Sequence, residues 1–140
     1  MAKDLHNNIA VRRCIDPQSV ATNTAIVSQI IDRLGYETLE FLIASGTIAS
    51  GTAVFTLTAE HGDSPTLADT VAITDPSPTL LLGTLAGASF TFASPSSQFR
   101  VGYIGNRRFV RITLTTTNNA AAALLAALAI LTVPTKAPTP

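Results

Sequence analysis

The side chains on which enzymes and metal sites most often depend are scarce in this sequence. Its 140 residues include one cysteine, Cys14, two histidines, His6 and His61, and no tryptophan. A single cysteine excludes an intrachain disulfide and any site built from CxxC pairs. The chain also has no glycine-rich phosphate-binding loop. We therefore expect no cofactor, no metal and no enzymatic activity.

Charge is the second scarcity. Only 13% of the residues are charged, whereas about 25% is usual for a soluble domain. Apolar residues make up 46% of the chain, the mean hydropathy is +0.36 and the formal net charge is +0. Zero net charge favours association over solubility. The composition indicates a surface that other proteins cover, and a neutral monomer with a threonine-rich surface is the alternative.

Targeting and membrane-spanning segments are not predicted. Lys3, Asp4 and His6 interrupt the apolar stretch that a secretion signal needs near its start. The longest apolar run, residues 120–133, falls short of the ~20 residues of a spanning helix. A chain of this length suits one domain. We expect a single domain over residues 1–140 with no membrane partner.

Acidic residues are absent beyond Asp75. All nine of them lie in residues 4–75, and only four basic residues precede position 100, so residues 1–99 carry a formal charge of −5. Residues 100–140 contain five basic residues and no acid, which gives +5. Such asymmetry can steer contacts with a partner of complementary charge. The basic residues of the second part are Arg100, Arg107, Arg108, Arg111 and Lys136.

Two-residue alternation of apolar and polar side chains predicts most of the strands. β-Branched and aromatic residues are frequent in these segments, as is typical of strands. Residues 20–31 also favour strand by composition, although Ile26, Ile30 and Leu34 would suit one face of a helix. The predicted strands are residues 9–15, ended by Asp16-Pro17, then 20–31, 39–44, 52–58, 98–104 and 108–116.

Three further segments are predicted from turn residues and spacing. Residues 66–73 suit a short helix because Leu67, Ala68 and Val71 lie near one helical face. The Gly105-Asn106 pair between two alternating segments predicts a β-hairpin. We favour a buried last strand for residues 120–133, paired with the 108–116 strand. A helix is the alternative there, since periodicity does not separate the two in a short apolar run.

Short strands joined by Gly and Pro turns imply an all-β fold, and we predict an antiparallel β-sandwich. Its ordered core should run from about residue 9 to residue 134. A flexible polar N-terminal arm, residues 1–8, should precede it. A loose tail with three prolines, residues 134–140, should follow.

Groups capable of catalysis or metal binding do not combine into a recognisable site. Glu60, His61 and Asp63 are catalytic residue types, but they crowd one predicted loop, and catalytic triads assemble from separate segments. Their spacing matches neither a zinc site nor an EF-hand. We expect a solvated turn at His61 and a buried, structural role for Cys14, although Arg13 beside it would lower the thiol pKa.

The arginine cluster in the second part of the chain is the clearest functional signal. It consists of Arg100, Arg107, Arg108 and Arg111 together with Phe109, and we predict that these five residues form a protein interface. Guanidinium groups pair well with carboxylates across such interfaces. Nucleic acid is the weaker alternative, because the sequence pI of about 6.7 lies well below the values above 9 that are usual for nucleic-acid-binding domains.

Two segments resemble a known family. Residues 102–111 read Gly-Tyr-Ile-Gly-Asn-Arg-Arg-Phe-Val-Arg, and a threonine-rich strand, an Asn118-Asn119 turn and an alanine-rich strand ending at Pro134 follow. Residues 34–43, Leu-Gly-Tyr-Glu-Thr-Leu-Glu-Phe-Leu-Ile, fit the same set, as do residues 55–57 and 60–63. Together these features are similar to the capsid cement, or decoration, proteins of tailed bacteriophages.

The resemblance implies a jelly-roll-like fold and attachment to the outer surface of an HK97-type capsid. It also implies contact with the major capsid protein and homodimers that bridge neighbouring capsomers. Arg107, Arg108 and Arg111 match the family's basic hairpin. Synthesis would then take place in the host cytoplasm. The alternative function is a tail- or fibre-associated module that recognises a host surface glycan through residues 60–65 or the arginine cluster.

Overall fold

The computed structural model describes residues 3–135, which form strands and loops with two single turns of 3-10 helix, His6–Asn8 and Ala86–Ala88. Most of the predicted proline-rich tail, residues 136–140, lies outside the described residues, as do the first two residues of the predicted arm. The strands are β1 (Ile9–Val20), β2 (Ala25–Val27), β3 (Ile31–Asp32), β4 (Tyr36–Ile48), β5 (Val54–Gly62), β6 (Val71–Ala72), β7 (Leu81–Leu82), β8 (Phe90–Thr91), β9 (Gln98–Tyr103), β10 (Phe109–Thr117) and β11 (Ala123–Pro134).

The strands form two antiparallel sheets. Sheet I has the order β1-β11-β4-β9-β7, and sheet II has the order β2-β10-β5-β6, with β3 beside β10 and β8 beside β5. The chain passes repeatedly from one sheet to the other, so strands distant in sequence become neighbours: β1 pairs Ile9 with Thr132 of β11. Two facing sheets with this order are the arrangement of a jelly roll. The predicted all-β, jelly-roll-like antiparallel sandwich is confirmed.

The core lies between the two sheets and uses the residues that alternation had selected. Phe41 and Val101 from sheet I and Phe55 and Ile112 from sheet II are at most 2% exposed. A stack of three aromatic rings crosses the core, with centroids 4.7 Å apart from Phe55 to Phe90 and again from Phe90 to Phe99. Offset aromatic contacts of this kind contribute beyond their buried area.

The predicted hairpin around Gly105-Asn106 is wrong. The segments on either side are strands, but β9 pairs with β4 and β7 in sheet I, whereas β10 pairs with β5, β2 and β3 in sheet II. Residues 104–108 therefore cross between the sheets. A tight turn between two alternating segments fits a hairpin within one sheet and also a crossover between two sheets. Each strand buries one face in either case, so the sequence pattern is the same.

The last strand was predicted correctly as a strand but with the wrong partner. β11 pairs with β1 on one side and β4 on the other, in the middle of sheet I, and not with β10. Its inward residues, including Ala127, Ala129 and Leu131, are at most 2% exposed. These inward residues are apolar because they pack in the core between the two sheets.

Three boundaries differ from the prediction. β1 does not end at Asp16-Pro17 but continues to Val20, with register shifts on either side of Ile15 that absorb the proline at a sheet edge. Residues 20–31 are not one strand, since β2 and β3 divide them. Residues 66–73 form no helix: Leu67 has a left-handed φ of 56°, and residues 71 and 72 are strand β6.

Candidate functional site: two faces and one end of the sandwich

Three of the predicted interface arginines are paired within the chain. Arg107 reaches Asp63 at 2.9 Å and Asp69 at 3.5 Å. Arg108 makes a two-pronged contact with Asp32, since its Nε and Nη2 each donate at 2.8 Å to a different carboxylate oxygen. Arg111 forms an ion pair with Glu60. The hydrogen bonds from Arg108 are the main cause of the lowered carboxyl pKa of Asp32.

Folding therefore brings the acidic part of the sequence onto its basic part. The four carboxylates paired with Arg107, Arg108 and Arg111 come from strands or loops before residue 70. The positive cluster seen in the sequence becomes a network of both signs at one end of the sandwich. Phe109 of the same cluster is 6% exposed and belongs to the buried surface, with Arg108 stacked over its ring at 4.9 Å.

Arg100 is separated from the other arginines and lies on a different face. It projects from β9 on the outer face of sheet I, opposite Leu42 of β4. Its side chain is exposed, and the ion pairs of residues 3–135 do not include it. The nearest acidic group on this face is Glu40, whose pKa is raised by burial and held back from rising further by the charge of Arg100.

The outer face of sheet I is apolar across β1, β11 and β4. Leu124 and Leu128 of β11 are 46% and 45% exposed, and Val11 of β1 is 49% exposed. Leu42 and Ile130 lie half-buried between them. The register places these residues in adjoining rows, and Ala44 and Ala126 continue the surface toward one end. We refer to this surface as the apolar face; its members are Val11, Leu42, Ala44, Leu124, Ala126, Leu128 and Ile130.

Sheet II presents a different outer surface. Its central strands pair Thr56 with Thr115 and Thr58 with Thr113, and the Glu60–Arg111 ion pair continues the row. A sheet with one face on the core normally shows such polar residues to water. Val27 of β2 is also exposed on this face, but in sheet I apolar residues extend over three adjoining strands, and a contiguous exposed apolar surface rimmed by polar groups marks an interaction site in a protein of this size.

A groove indents one end of the apolar face. It has a volume of about 490 Å³ and is walled by β1, β4 and β11. Gly46 forms part of the wall, because a Cβ there would approach Cβ of Leu124 to 2.9 Å. The lining is uncharged throughout and consists of residues 17–19, 44–46 and 124–126.

The sequence of β11 contains a signal for the apolar face, namely that apolar residues occupy both sides of the strand. In β10 the outward positions are Arg111, Thr113, Thr115 and Thr117, so apolar and polar residues alternate. In β11 the outward positions are Leu124, Ala126, Leu128 and Ile130, and alternation is missing. An antiparallel strand that is apolar on both sides needs cover on both sides. Burial of the last strand was expected, and its second, open face was not.

His61 is not in a solvated turn, as the sequence had suggested, but in β5 at 7% exposure. Its Nδ1 lies 2.6 Å from the hydroxyl group of Tyr103 in the opposite sheet. That hydroxyl oxygen also accepts the backbone N–H of Arg107 at 3.2 Å. Burial, then the nearby charge of Arg107, lowers the His61 pKa. Arg33 stacks on the Tyr103 ring at 4.9 Å and completes this cluster.

Cys14 is buried, as predicted, with 1% exposure. Burial raises its pKa to about 11, which outweighs the lowering expected from Arg13. Within residues 3–135, no three His, Cys, Asp or Glu side chains are grouped closely enough to hold a metal ion. Nor does any helix of that range have the length and apolar character needed to cross a membrane.

An open cleft of about 510 Å³ lies at the end of the sandwich beside the arginine network. The turn between β3 and β4 forms one wall, and the crossover between β9 and β10 forms the other. Leu34, 67% exposed, and Ile104, 37% exposed, lie at the opening of the cleft. Polar and aromatic groups line the rest of it, including Tyr36, Glu37, Asn106 and Arg108.

Comparison with known proteins finds structural similarity at a low level only. No protein-family model and no curated protein matches the chain. Similar solved structures include the CBM22-1 xylan-binding domain of Paenibacillus barcinonensis Xyn10C, with 15% identity, a TM-score of 0.44, and coverage of 91% of this chain and 86% of that one. The CBM36-1 domain of a xylanase from the Trinervitermes trinervoides hindgut metagenome has 11% identity, a TM-score of 0.47 and coverage of 88% and 96%.

A structure of infectious bursal disease virus, Gx strain, is similar at 9% identity and a TM-score of 0.46. The match covers 93% of this chain and 35% of the viral one. Similarity at this level carries no information about what the chain binds, since one fold hosts many functions.

Proposed function

We propose that the protein is a structural cement protein on the outer surface of a tailed-phage HK97-type capsid, where it bridges and stabilises capsomers of the major capsid protein. The observation that carries this proposal is the apolar face of sheet I. A face of this composition fits attachment to a protein surface and not exposure to water. The sequence resemblance of residues 34–43 and 102–111 supplies the shell as the partner.

The physical basis of stabilisation is burial repeated over many copies. Each square ångström of apolar surface removed from water contributes about 25 cal/mol. A stable protein interface buries about 800 Å² on each partner. If two copies associate, a homodimer in contact with two capsomers gains affinity without new types of contact, because the second contact is intramolecular. The threonine surface of sheet II suits the side that remains in solvent.

Binding to heads assembled without this protein tests the proposal. Wild-type protein should co-sediment with such heads, and Leu128→Glu should not, because the substitution places a charge in the middle of the apolar face. The matched control is Thr56→Glu, at an exposed position on the outer face of sheet II, which should bind like the wild type. Wild-type protein that stays in the supernatant would rule out the cement function.

A second candidate function is recognition of a host glycan, as in a tail- or fibre-associated module. The end cleft favours it, since Tyr36 offers an aromatic surface beside the hydrogen-bonding groups of Asn106 and Arg108. Sites for small ligands combine apolar walls with a few polar groups in this way. Binding to a glycan array that Tyr36→Ala abolishes would support this function, and an array without signal would remove it.

A further inference from the structure

The groove at the end of the apolar face selects an uncharged occupant. None of its nine lining residues is charged, and its walls include Pro17, Ala44, Leu124 and Leu125. A charged side chain placed there would lose its water without gaining a partner, which costs several kcal/mol in typical cases. An aliphatic or aromatic side chain placed there would instead have its apolar surface removed from water. Such a buried anchor is typical of the centre of protein interfaces.

Arg100 lies at the rim of the same face and selects for negative charge. Arg107, Arg108 and Arg111 already have carboxylate partners, whereas Arg100 is outside the ion pairs formed by the described residues. Glu40 lies near Arg100, since both line one pocket and the charge of Arg100 acts on the Glu40 pKa, but no ion pair or hydrogen bond joins the two among the described residues. An arginine beside an apolar contact surface favours a partner carboxylate, which it can bind with two parallel hydrogen bonds.

The register fixes the spacing of these two features. Ala44 in the groove and Leu42 are two residues apart on β4, and Leu42 is paired with Arg100 on the neighbouring strand. Strand geometry then puts the Cα atoms of Ala44 and Arg100 about 8 Å apart. Two side chains of one partner surface can contact both places at once.

We infer that the surface docked on sheet I inserts an uncharged apolar side chain into the groove and presents a carboxylate to Arg100. This inference rests on the proposed function and specifies the partner: a capsid protein surface with an exposed apolar residue and an acidic residue on the order of 8 Å from it. The partner chemistry follows from the uncharged lining of the groove and from the exposed Arg100, which is outside the ion pairs of the described residues.

The carboxylate is tested with Arg100→Met in quantitative binding to heads assembled without the protein. The variant should bind about 10-fold more weakly than the wild type at low salt, at the lower end of the range for close interfacial charge pairs. Its affinity should also depend less on salt, because screening acts on the lost pair. Arg12→Met is the matched control, since Arg12 is an exposed arginine outside the apolar face and the ion pairs, and it should leave both quantities unchanged.

The groove is tested with Ala44→Phe, which adds a ring over the cavity, and Thr56→Phe on sheet II is its control. Ala44→Phe should weaken binding at least about 10-fold, and its circular dichroism should match that of the wild type. If Arg100→Met or Ala44→Phe bound heads as tightly as the wild type does, the inference would be overturned. If Leu128→Glu still failed to bind in that case, the proposed function would stand. Absence of binding by the wild type would overturn both.

Discussion

Tyr103 connects the two sheets through a single hydroxyl group. The hydroxyl oxygen accepts from Arg107 N–H, and the hydroxyl group forms a second hydrogen bond with Nδ1 of His61. The ring is only 1% exposed, so no water replaces these bonds when the hydroxyl is removed. Sequence alternation predicted that Tyr103 would face the core. It did not predict the partner, since His61 is 42 residues away along the chain.

Tyr103→Phe should lower the free energy of unfolding by about 1–3 kcal/mol, because it leaves buried polar groups of His61 and Arg107 unsatisfied. Urea denaturation followed by circular dichroism measures the change. Tyr36→Phe is the control, since Tyr36 is half-buried at the sheet end and its hydroxyl makes no hydrogen bond to the described residues. A loss no larger than that of the control would show that the connection between the sheets does not contribute to stability.

The lowered pKa of His61 makes stability depend on pH. The folded state disfavours the imidazolium, so the unfolded state binds more protons once the pH falls below the ordinary value of 6.5. Stability should be unaffected by this group above pH 6.5 and should fall as the pH drops from 6.5 through the lower pKa of the folded state. Melting temperatures measured from pH 8 to pH 5 show this loss.

His61→Gln is the comparison for that measurement, since it removes the titrating ring and keeps every other ionisable group. The variant should be less stable at pH 8, but its melting temperature should change less between pH 6.5 and pH 5. Equal slopes for the two proteins would contradict the assignment of the pH dependence to His61. Loss of the Asp32 and Asp69 contacts belongs to lower pH, because the pKa values of both carboxyls lie below 3.8.

Cys14 should be unreactive in the folded protein. The thiol is buried and its pKa is raised to about 11, so very little thiolate exists at pH 8 and reagents do not reach it. Titration with a thiol-reactive disulfide should label it only after denaturation. Rapid labelling of the native protein at pH 8 would contradict the packing of β1 against sheet II.

At the scale of elements, the two sides of β11 differ: one side packs in the core, and the other side forms part of the groove. Ala129 faces the core at 0% exposure, whereas Ala126 faces outward into the groove. Ala129→Leu should therefore destabilise the protein by about 1–3 kcal/mol through overpacking. Ala126→Leu should change the free energy of unfolding by less than about 0.5 kcal/mol. Chemical denaturation of both variants measures the difference, and similar losses would mean that the faces of β11 are assigned incorrectly.

The strands themselves were largely predictable from local sequence, because period-two burial is a local property. Phe41, Phe55, Val101 and Ile112 each belong to the apolar set of an alternating segment, and in the structure that set faces the core. The short segments were not predictable in the same way. Residues 66–73 have helical spacing, but Leu67 adopts a left-handed turn and Val71 joins β5 through a pairing set by the rest of sheet II.

At the scale of the whole molecule, pairing between strands was the part that sequence did not determine. β9 and β10 are adjacent along the chain and lie in different sheets, whereas β1 and β11 come from opposite ends of it and are neighbours. In a jelly roll most contacts join distant residues, so turn chemistry constrains the topology weakly. The ion pairs of the arginine cluster were not predicted for the same reason: its acidic partners come from residues 32–69.

The surface of the whole molecule follows from these pairings. Charges of opposite sign are neutralised at one end, sheet II presents threonine, and sheet I presents the apolar face. The charged, threonine-rich and apolar parts of the surface are thus separated only in the folded protein. Prediction from sequence reached the conclusion that partners cover part of the protein, and the structure adds which side is apolar.

Release of DNA from heads on heating tests the central proposal most directly. Heads assembled without the protein should release DNA at a lower temperature than complete heads. Addition of wild-type protein or Thr56→Glu should restore the higher temperature, and addition of Leu128→Glu should not. Heads whose release temperature is the same with and without the protein would contradict the account.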